Sequence, residues 1–281
     1  MSDASVQARP LRTVGALLEG RTAIITGGAG AGGIGHATAQ LFASHGAHVA
    51  LLDLAETDPA QVAAALGDRP TENDDAAGAP SANPGGHLGL ACDVRQAAAC
   101  QEAVNAVHDA FGRIDILIGN AGVVFPTLID DIAPAEYDHV LDVNLRGNFQ
   151  MAQAVLPTMR AQGDGRLVFI SSIAGQVGGG LFGRSHYAAA KSGIFGLAKA
   201  LARELAPEGI RANAIAPGVI DNDFTKGRMT RAIKDQAATG VPMGRLGRSD
   251  DVAGGCLYLA SDLSAYVTGQ VLSINGGLLI A

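Results

Sequence analysis

The sequence contains no tryptophan, and aromatic residues make up only 4% of it. It has three cysteines, Cys92, Cys100 and Cys256, which are odd in number and form no Cys-x-x-Cys pair. Neither a disulfide framework nor a zinc site is built from such a set, so we interpret them as reduced, mostly buried thiols of a cytoplasmic protein. No apolar run is long enough to cross a bilayer, and the N-terminus lacks the apolar core of a signal peptide.

Positive charge is also scarce, because 20 Lys and Arg residues stand against 27 Asp and Glu residues and leave a formal net charge of −7. An acidic chain without a basic stripe is not expected to bind DNA or RNA, or an anionic membrane surface. No His, Cys or Asp cluster has metal-ligand spacing, so we expect no metal site. These absences favour a small-molecule substrate as the partner.

Glycine, in contrast, is abundant, with 38 residues and no collagen-like repeat. Short apolar runs alternate with segments of helical periodicity, which is typical of parallel strands joined by helices. We predict an α/β protein with a single doubly wound, Rossmann-like domain, in which helices cover both faces of a seven-stranded parallel sheet. The predicted strands are 22–26, 48–52, 88–92, 114–118, 167–170, 211–215 and 271–274, and the six predicted helices are 34–45, 60–66, 95–111, 134–159, 186–205 and 250–260.

Three segments depart from this alternation. Residues 1–19 are polar and irregular, and we expect an N-terminal arm before a domain that covers 20–281. Residues 68–87 are rich in Pro, Gly, Asn and Asp, which predicts a surface insertion. Residues 218–247 mix glycine, apolar and charged residues, as a lid over a substrate does.

The glycine cluster of the chain lies between the first predicted strand and the first predicted helix, where a dinucleotide fingerprint has to be. Without Cβ atoms the backbone can approach a pyrophosphate closely, and the helix N-terminus then offers free N–H groups to it. A flexible turn is the plainer interpretation of glycines alone. Asp53 favours the functional one, because it ends the second strand 20 residues after Gly33, where an acid accepts hydrogen bonds from the adenosine ribose. A carboxylate there disfavours a 2′-phosphate, so we predict NAD as the cofactor.

Over about residues 19–281 the chain resembles the short-chain dehydrogenase/reductase family. The resemblance is carried by ordered motifs, namely Thr26-Gly27 with Gly33-Ile34-Gly35, Asp93-Val94, Asn120-Ala121-Gly122, Asn144, Ser171-Ser172, Tyr187 with Lys191, Asn213, Pro217-Gly218, Tyr266 to Gln270, and Asn275-Gly276-Gly277. The family usually has three residues between its first two fingerprint glycines, whereas five separate Gly27 from Gly33 here. Gly119 replaces a usual Asn, and Asn222 stands where the family often has Thr.

The resemblance implies roles for four residues. Tyr187 would take the alcohol proton, and Lys191, one helical turn further on, would lower the Tyr pKa together with the positive nicotinamide and bind the ribose. Ser172 would hydrogen-bond the substrate oxygen, with Ser171 as the weaker candidate, and Asn144 would hold a water that links Lys191 to solvent. The remaining predicted cofactor contacts are Gly27, Gly33, Ile34, Gly35, Asp53, Leu54, Asp93, Val94, Asn120, Ala121, Gly122, Pro217, Gly218 and Ile220.

These patterns predict an oxidoreductase that transfers a hydride between NAD(H) and a secondary alcohol or ketone. A 3-oxoacyl thioester reductase is the alternative in the same class, and a catalytically silent NAD-binding module is the alternative in another. The glycine turn lacks the basic residue that often accompanies NADPH use, which argues against a biosynthetic reductase. The resemblance also implies a homotetramer, with subunits paired through the long helices 134–159 and 186–205 and through the last strand and the tail 278–280.

Overall fold

Seven strands form one sheet in the computed structural model, which describes residues 15–66, 86–180, 182–225 and 227–280. Their order is β3-β2-β1-β4-β5-β6-β7, and every neighbouring pair is parallel. This confirms the predicted doubly wound sheet. The strands are β1 (Thr22–Thr26), β2 (His48–Asp53), β3 (Leu88–Ala91), β4 (Ile116–Gly119), β5 (Gly165–Ile170), β6 (Ile210–Pro217) and β7 (Val271–Ile274).

Helices cover both faces of the sheet. Within the described ranges they are α1 (Ile34–Ser44), α2 (Pro59–Ala64), α3 (Ala97–Phe111), α4 (Pro134–Leu141), α5 (Gly147–Gln162), α6 (Ala174–Val177), α7 (Ser185–Leu205), α8 (Arg231–Thr239) and α9 (Ser249–Ala260). One apolar core lies between the sheet and helices α3, α5 and α7, and a second lies between the sheet and helices α1 and α9. The central strands are buried on both faces, which explains why β1 is a continuous apolar and β-branched run.

The structure differs from the predicted elements in three places. The single helix predicted over 134–159 is α4 and α5 joined by a π-helical segment, Asp142–Arg146, which adds a wide turn to the helix. Helix α6 was not predicted, and helix α8 lies inside the segment 218–247, which was predicted as a lid and was not among the six predicted helices. Five residues are too few for apolar periodicity to separate a π-helical turn from the α-helices on either side of it.

The predicted arm and insertion lie mostly outside the described residues, since 1–14 and 67–85 are not among them. At the end of the predicted arm, Leu18 is 1% exposed, and its N–H donates to the His45 carbonyl. The neighbouring Leu17 packs against the same apolar core.

A buried carboxylate organises the amino ends of the central strands. Asp115 has a side chain that is 0% exposed, and it accepts hydrogen bonds from the Thr22 N–H and from the guanidinium groups of Arg21 and Arg113. Burial alone would raise the pKa of Asp115, but the hydrogen bonds from Arg113, Thr22 and Arg21 outweigh it and lower that pKa. The charged carboxylate therefore stabilises the fold above the usual aspartate pKa and loses this effect as the pH falls.

Replacing Asp115→Ala is expected to lower the free energy of unfolding by about 3 kcal/mol, because it leaves a partly buried guanidinium and the Thr22 N–H without this acceptor. The loss should shrink as the pH falls from about 4, where Asp115 of the unfolded chain takes up a proton, to the lowered pKa at which the folded protein does so. Asp235→Ala is the matched control, since Asp235 pairs with Arg231 on an exposed helix face and should contribute under about 0.5 kcal/mol. Urea unfolding at several pH values measures the free energy of unfolding of both variants. An equal decrease in the two variants would contradict this role for Asp115.

Candidate active site

The strand order reverses between β1 and β4, and the predicted cofactor motifs meet at that point. Connections from neighbouring strands leave in opposite directions there, which opens a crevice at the carboxyl ends of the strands. The glycine turn follows β1, and the segment Asn120–Gly122 follows β4. Motifs that are more than 90 residues apart in the sequence are therefore neighbours in space.

The glycine turn is packed so closely that side chains have no room at two of its positions. A Cβ on Gly27, which has a φ of +65°, would lie 2.8 Å from the Ala121 Cα. A Cβ on Gly35 would lie 2.6 Å from the Asn120 Nδ2 and 2.7 Å from the Gly27 carbonyl oxygen. The glycines at both ends of the turn are thus required by backbone packing.

Asn120 and Ala121 hold the turn through hydrogen bonds. The Asn120 Nδ2 donates to the carbonyl oxygens of Thr26 and Gly27 at 3.0 and 2.9 Å. The Thr26 hydroxyl oxygen accepts from the backbone N–H groups of Asn120 and Ala121 at 3.0 Å each. Asn120 therefore holds the glycine turn in place. Thr26 does so as well, although it was not among the predicted site residues.

The residues present fit a dinucleotide pyrophosphate. Helix α1 begins after Gly33 with no side-chain cap and no acidic residue in its first turn, so its N-terminal dipole is not neutralised by the helix itself. Gly30 is exposed, has no positive φ, and a Cβ built on it would meet no atom within 4 Å. Packing within the protein does not require glycine at that position, and the bare backbone leaves space for a ligand.

Asp53 ends β2 beside this turn. Its Oδ2 accepts from the Ala29 N–H at 2.9 Å, and its Oδ1 accepts from the Leu54 N–H at 2.8 Å. The carboxylate is partly exposed, and Leu54 is 41% exposed. The structure thus places Asp53 beside the glycine turn and adds a contact that was not predicted, in which Asp53 accepts a hydrogen bond from the turn.

Asp93 and Val94, the other predicted contacts on this side, follow β3. Asp93 forms an ion pair with Arg95 at 2.6 Å, and the hydrogen bond from Arg95 lowers the pKa of Asp93. Val94 is 6% exposed and packs on α5 so closely that a Cβ on Gly147 would lie 2.6 Å from its Cγ2. These contacts fix the backbone after β3.

The two serines that follow β5 have hydroxyl groups with different hydrogen-bond partners. Ser171 is buried, and its hydroxyl donates to the Lys191 carbonyl at 2.7 Å. Ser172 is only partly buried, accepts from the Ala174 N–H at 3.1 Å, and is hydrogen-bonded to the Tyr187 hydroxyl. Ser172 is therefore the member of the pair that contacts the tyrosine, and its predicted bond to a substrate oxygen stays a prediction.

Burial controls the charges of Tyr187 and Lys191. Loss of water raises the pKa of Tyr187 to about 12, and the hydrogen bond with Ser172 opposes this only in part. Burial lowers the pKa of Lys191 to about 8, while its Nζ donates to the Ile170 carbonyl at 2.8 Å and lies 5.7 Å from the centroid of the Tyr187 ring. The predicted lowering of the Tyr187 pKa by Lys191 and a positive nicotinamide is therefore not seen in the protein by itself, where desolvation of the phenolate is the largest effect and raises that pKa.

Asn144 lies in the π-helical segment and is fully buried. Its Nδ2 donates to the carbonyl oxygens of Val123 and Val140 at 2.9 Å each, and its Oδ1 accepts from the Val123 N–H at 3.3 Å. A Cβ on Gly122 would lie 2.8 Å from the Asn144 Oδ1 and 3.5 Å from the Lys191 Nζ, so the three residues adjoin. The amide holds the chain after β4, and the predicted water link to Lys191 stays a prediction.

The predicted contacts after β6 lie at the same edge of the sheet. The Pro217 carbonyl accepts from the Ile173 N–H at 2.9 Å, next to the serine pair. The Gly218 N–H donates to the Ile274 carbonyl at 2.9 Å, and a Cβ on Gly218 would lie 2.9 Å from the Asn275 Cα. Ile220 is 9% exposed, so the beginning of the loop after β6 packs against the protein.

Two residues near this loop show contacts that no sequence motif indicated. The Asn222 Nδ2 donates to the Ser249 hydroxyl oxygen at 3.4 Å, instead of being free for a ligand. The Ser249 hydroxyl in turn donates to the Gly32 carbonyl at 2.7 Å. Ser249 was not predicted, because a serine at the start of a helix is common and nothing local marks its partner.

Apolar residues surround one side of the tyrosine. Val124 and Phe125 pack against the small cluster that contains Tyr187. The adjoining His186 ring is also buried, with its Nε2 3.2 Å from the Glu136 Oε1. In the parts of the chain that the structure describes, no group of three or more His, Cys, Asp or Glu side chains could hold a metal ion, and no helix there is long and apolar enough to span a membrane.

Comparisons with known proteins agree with this geometry. A family model described as enoyl-(acyl carrier protein) reductase matches residues 27–279. An uncharacterized short-chain type dehydrogenase/reductase of Sinorhizobium fredii is 46% identical over 94% of the chain and 99% of its own length. A 3-oxoacyl-[acyl-carrier-protein] reductase of Thermotoga maritima is 38% identical over 94% of the chain and 99% of its own length.

A solved structure shares the whole architecture. The crystal structure of a short-chain type dehydrogenase/reductase from Mycobacterium marinum has a TM-score of 0.82 and 31% sequence identity, and the match covers 94% of this chain and 97% of that one. The length of the matched segment, the sequence identity and the shared fold lead to the same conclusion. The chain belongs to the short-chain dehydrogenase/reductase family of oxidoreductases, whose members bind a nicotinamide cofactor.

Proposed function

We propose that this protein interconverts a secondary alcohol and its ketone with NAD(H), and that Tyr187 is the general acid and base. The observation that carries the proposal is the cluster of Ser172, Tyr187 and Lys191 at the edge of the sheet where the glycine turn also lies. The cluster combines a proton-transferring hydroxyl, a hydrogen-bond donor for the substrate oxygen, and a cation. A silent binding module would have no need for all three.

The chemistry divides between the cofactor and the protein. A bound nicotinamide supplies the acceptor or donor of the hydride. Tyr187 moves the proton at its hydroxyl oxygen, and Ser172 donates a hydrogen bond to the substrate oxygen as charge develops on it. Lys191, held by the Ile170 carbonyl, keeps a positive charge near the phenol at neutral pH and favours its ionised form.

The pKa of Tyr187 bears on the direction of the reaction. With a pKa of about 12 the phenol is protonated at neutral pH, which suits proton donation to a ketone oxygen. Alcohol oxidation needs the phenolate, whose fraction grows as the pH rises. The positive charge of an oxidised nicotinamide would act in the same direction.

The proposed preference for NAD rests on Asp53. Its carboxylate lies against the glycine turn at Ala29, and a cofactor 2′-phosphate near it would meet a like charge. The next residue, Leu54, offers no cation to compensate for it. The proposed substrate is a small molecule, and Val124 and Phe125 beside Tyr187 suit an apolar substituent on it.

A second candidate is reduction of a 3-oxoacyl thioester. It is favoured by relatives such as the 3-oxoacyl-[acyl-carrier-protein] reductase of Thermotoga maritima. A groove of about 600 Å³ beside α8 is also lined by Arg231, Lys234, Arg245 and Arg248, of which the first three already pair with Asp235, Asp221 and Asp251. Acetoacetyl-CoA tests this candidate: turnover far above that of simple ketones would replace the leading proposal.

Changing Tyr187→Phe removes the hydroxyl and little else. Turnover is expected to fall by about two orders of magnitude or more, the usual contribution of a positioned acid or base, while NADH binding is retained. Tyr137→Phe is the matched control, since Tyr137 is 45% exposed on α4. Steady-state rates with an active alcohol, found by screening alcohols with NAD at alkaline pH, measure the effect. More than a tenth of wild-type turnover in the Tyr187 variant would exclude this assignment.

Cofactor choice can be measured on the wild-type protein. We expect kcat/KM to favour NAD over NADP by about a hundredfold, since like charges at an interface cost several kcal/mol. Asp53→Ala should narrow this gap mainly by weakening NAD use, and Leu54→Arg added to it should raise NADP use through charge-assisted hydrogen bonds. Equal efficiency with both cofactors in the wild type would show that Asp53 does not set the preference.

We further propose a cytoplasmic homotetramer. The helices that the family resemblance assigns to the interface expose Tyr137 and Phe149, at 45% and 46%, and the last turn of the chain exposes Ile280 at 86%. Light scattering at micromolar concentration should give four times the mass of the chain. Phe149→Asp should reduce that mass, whereas Phe224→Asp, at a similar exposure outside these helices, should leave it unchanged. A monomeric wild type would contradict the proposal.

A further inference from the structure

The glycine turn is two residues longer than the usual family turn, and the structure shows what holds the extra length. Gly32 has a φ of +71°, is exposed, and a Cβ on it would meet no atom within 4 Å. Packing of the turn against its surroundings therefore does not fix this part. Hydrogen bonds hold it instead.

One of these bonds comes from the other end of the chain. The Ser249 hydroxyl donates to the Gly32 carbonyl at 2.7 Å, across a sequence separation of 217 residues. Ser249 is 8% exposed, so this bond is largely shielded from water. Ser249 is the first residue of α9, and this helix shares an apolar core with α1. A hydrogen bond between Thr38 of α1 and Cys256 of α9 also joins the two helices. Ser249 thus stands on a rigid support.

The turn is also held at its beginning and closed in its middle. Asp53 accepts from the Ala29 N–H at 2.9 Å, and the Gly33 N–H donates to the Gly30 carbonyl at 3.0 Å. The Gly32 carbonyl and the Gly33 N–H belong to one planar peptide, so both polar ends of that peptide are engaged by the protein. This peptide leads directly into the uncapped first turn of α1, and its orientation sets the direction of the N–H groups that follow.

We propose that Ser249 is a positioning residue for the cofactor pyrophosphate. By holding the Gly32 carbonyl, it keeps that partial negative charge fixed in the protein and presents the first turn of α1 to the diphosphate. The Asn222 Nδ2 donates to the Ser249 hydroxyl oxygen at 3.4 Å, so the same serine joins the turn to the loop after β6. The inference rests on the proposed cofactor site and assigns to this site a residue that the family motifs do not include.

The test compares ligands that do and do not contain the pyrophosphate. Calorimetry gives the dissociation constants of NADH, ADP-ribose and AMP for the wild type, Ser249→Ala and Ser249→Thr. Loss of the hydroxyl should weaken NADH and ADP-ribose about tenfold, the effect of one hydrogen bond, and leave AMP unchanged. Ser249→Thr, which keeps a hydroxyl, should restore most of the affinity. KM for NAD should rise while kcat at saturation stays within about twofold.

Two controls separate a positioning role from general destabilisation. Ser44→Ala removes a hydroxyl that donates to a helix carbonyl at 2.8 Å on the exposed face of α1, and it should change no dissociation constant. Hydrogen exchange of residues 29–34 without ligand should be faster in Ser249→Ala and not in Ser44→Ala. Equal ADP-ribose affinity in Ser249→Ala and wild type, or an equal loss for AMP, overturns the inference. A wild type that binds neither NADH nor ADP-ribose overturns the proposed cofactor site itself.

Discussion

Close approach of two backbones is the constraint on which the rest of the site depends. The turn after β1 and the segment after β4 lie so near each other that Gly27 and Gly35 have no room for a Cβ. Asn120 links the two segments, because its side-chain amide donates hydrogen bonds to two carbonyl oxygens of the turn. The reversal of strand order at this point makes the crevice, and the glycines keep it open to a ligand.

Burial is the second organising effect, and it acts on the chemistry. Tyr187 and Lys191 are both withdrawn from water, so each is pushed toward its neutral form, to pKa values of about 12 and about 8. The site is therefore suited to proton donation at neutral pH, and a positive charge brought in by the cofactor would favour proton removal. Ser172, which is only partly buried, is hydrogen-bonded to the Tyr187 hydroxyl.

Most of the fold and the candidate site could be predicted because their signals are local. Apolar runs and helical periodicity gave seven strands and the main helices, and the Tyr187 to Lys191 spacing placed both residues on one face of α7. The limits of prediction were also local in origin. The π-helical segment around Asn144 spans five residues, too few to show a periodicity of its own.

The sequence by itself determined the order of the strands along the chain, the glycines of the turn, the acid that ends β2 and the spacing of Tyr187 and Lys191 on one helix. Only the tertiary structure decided which serine meets Tyr187, how burial sets the charges, and that Ser249 and Asp53 hold the lengthened turn. The physical reason is that hydrogen bonds and desolvation depend on distances between groups that the winding of the sheet brings together. A contact across 217 residues has no repeat, spacing or composition through which a sequence could show it.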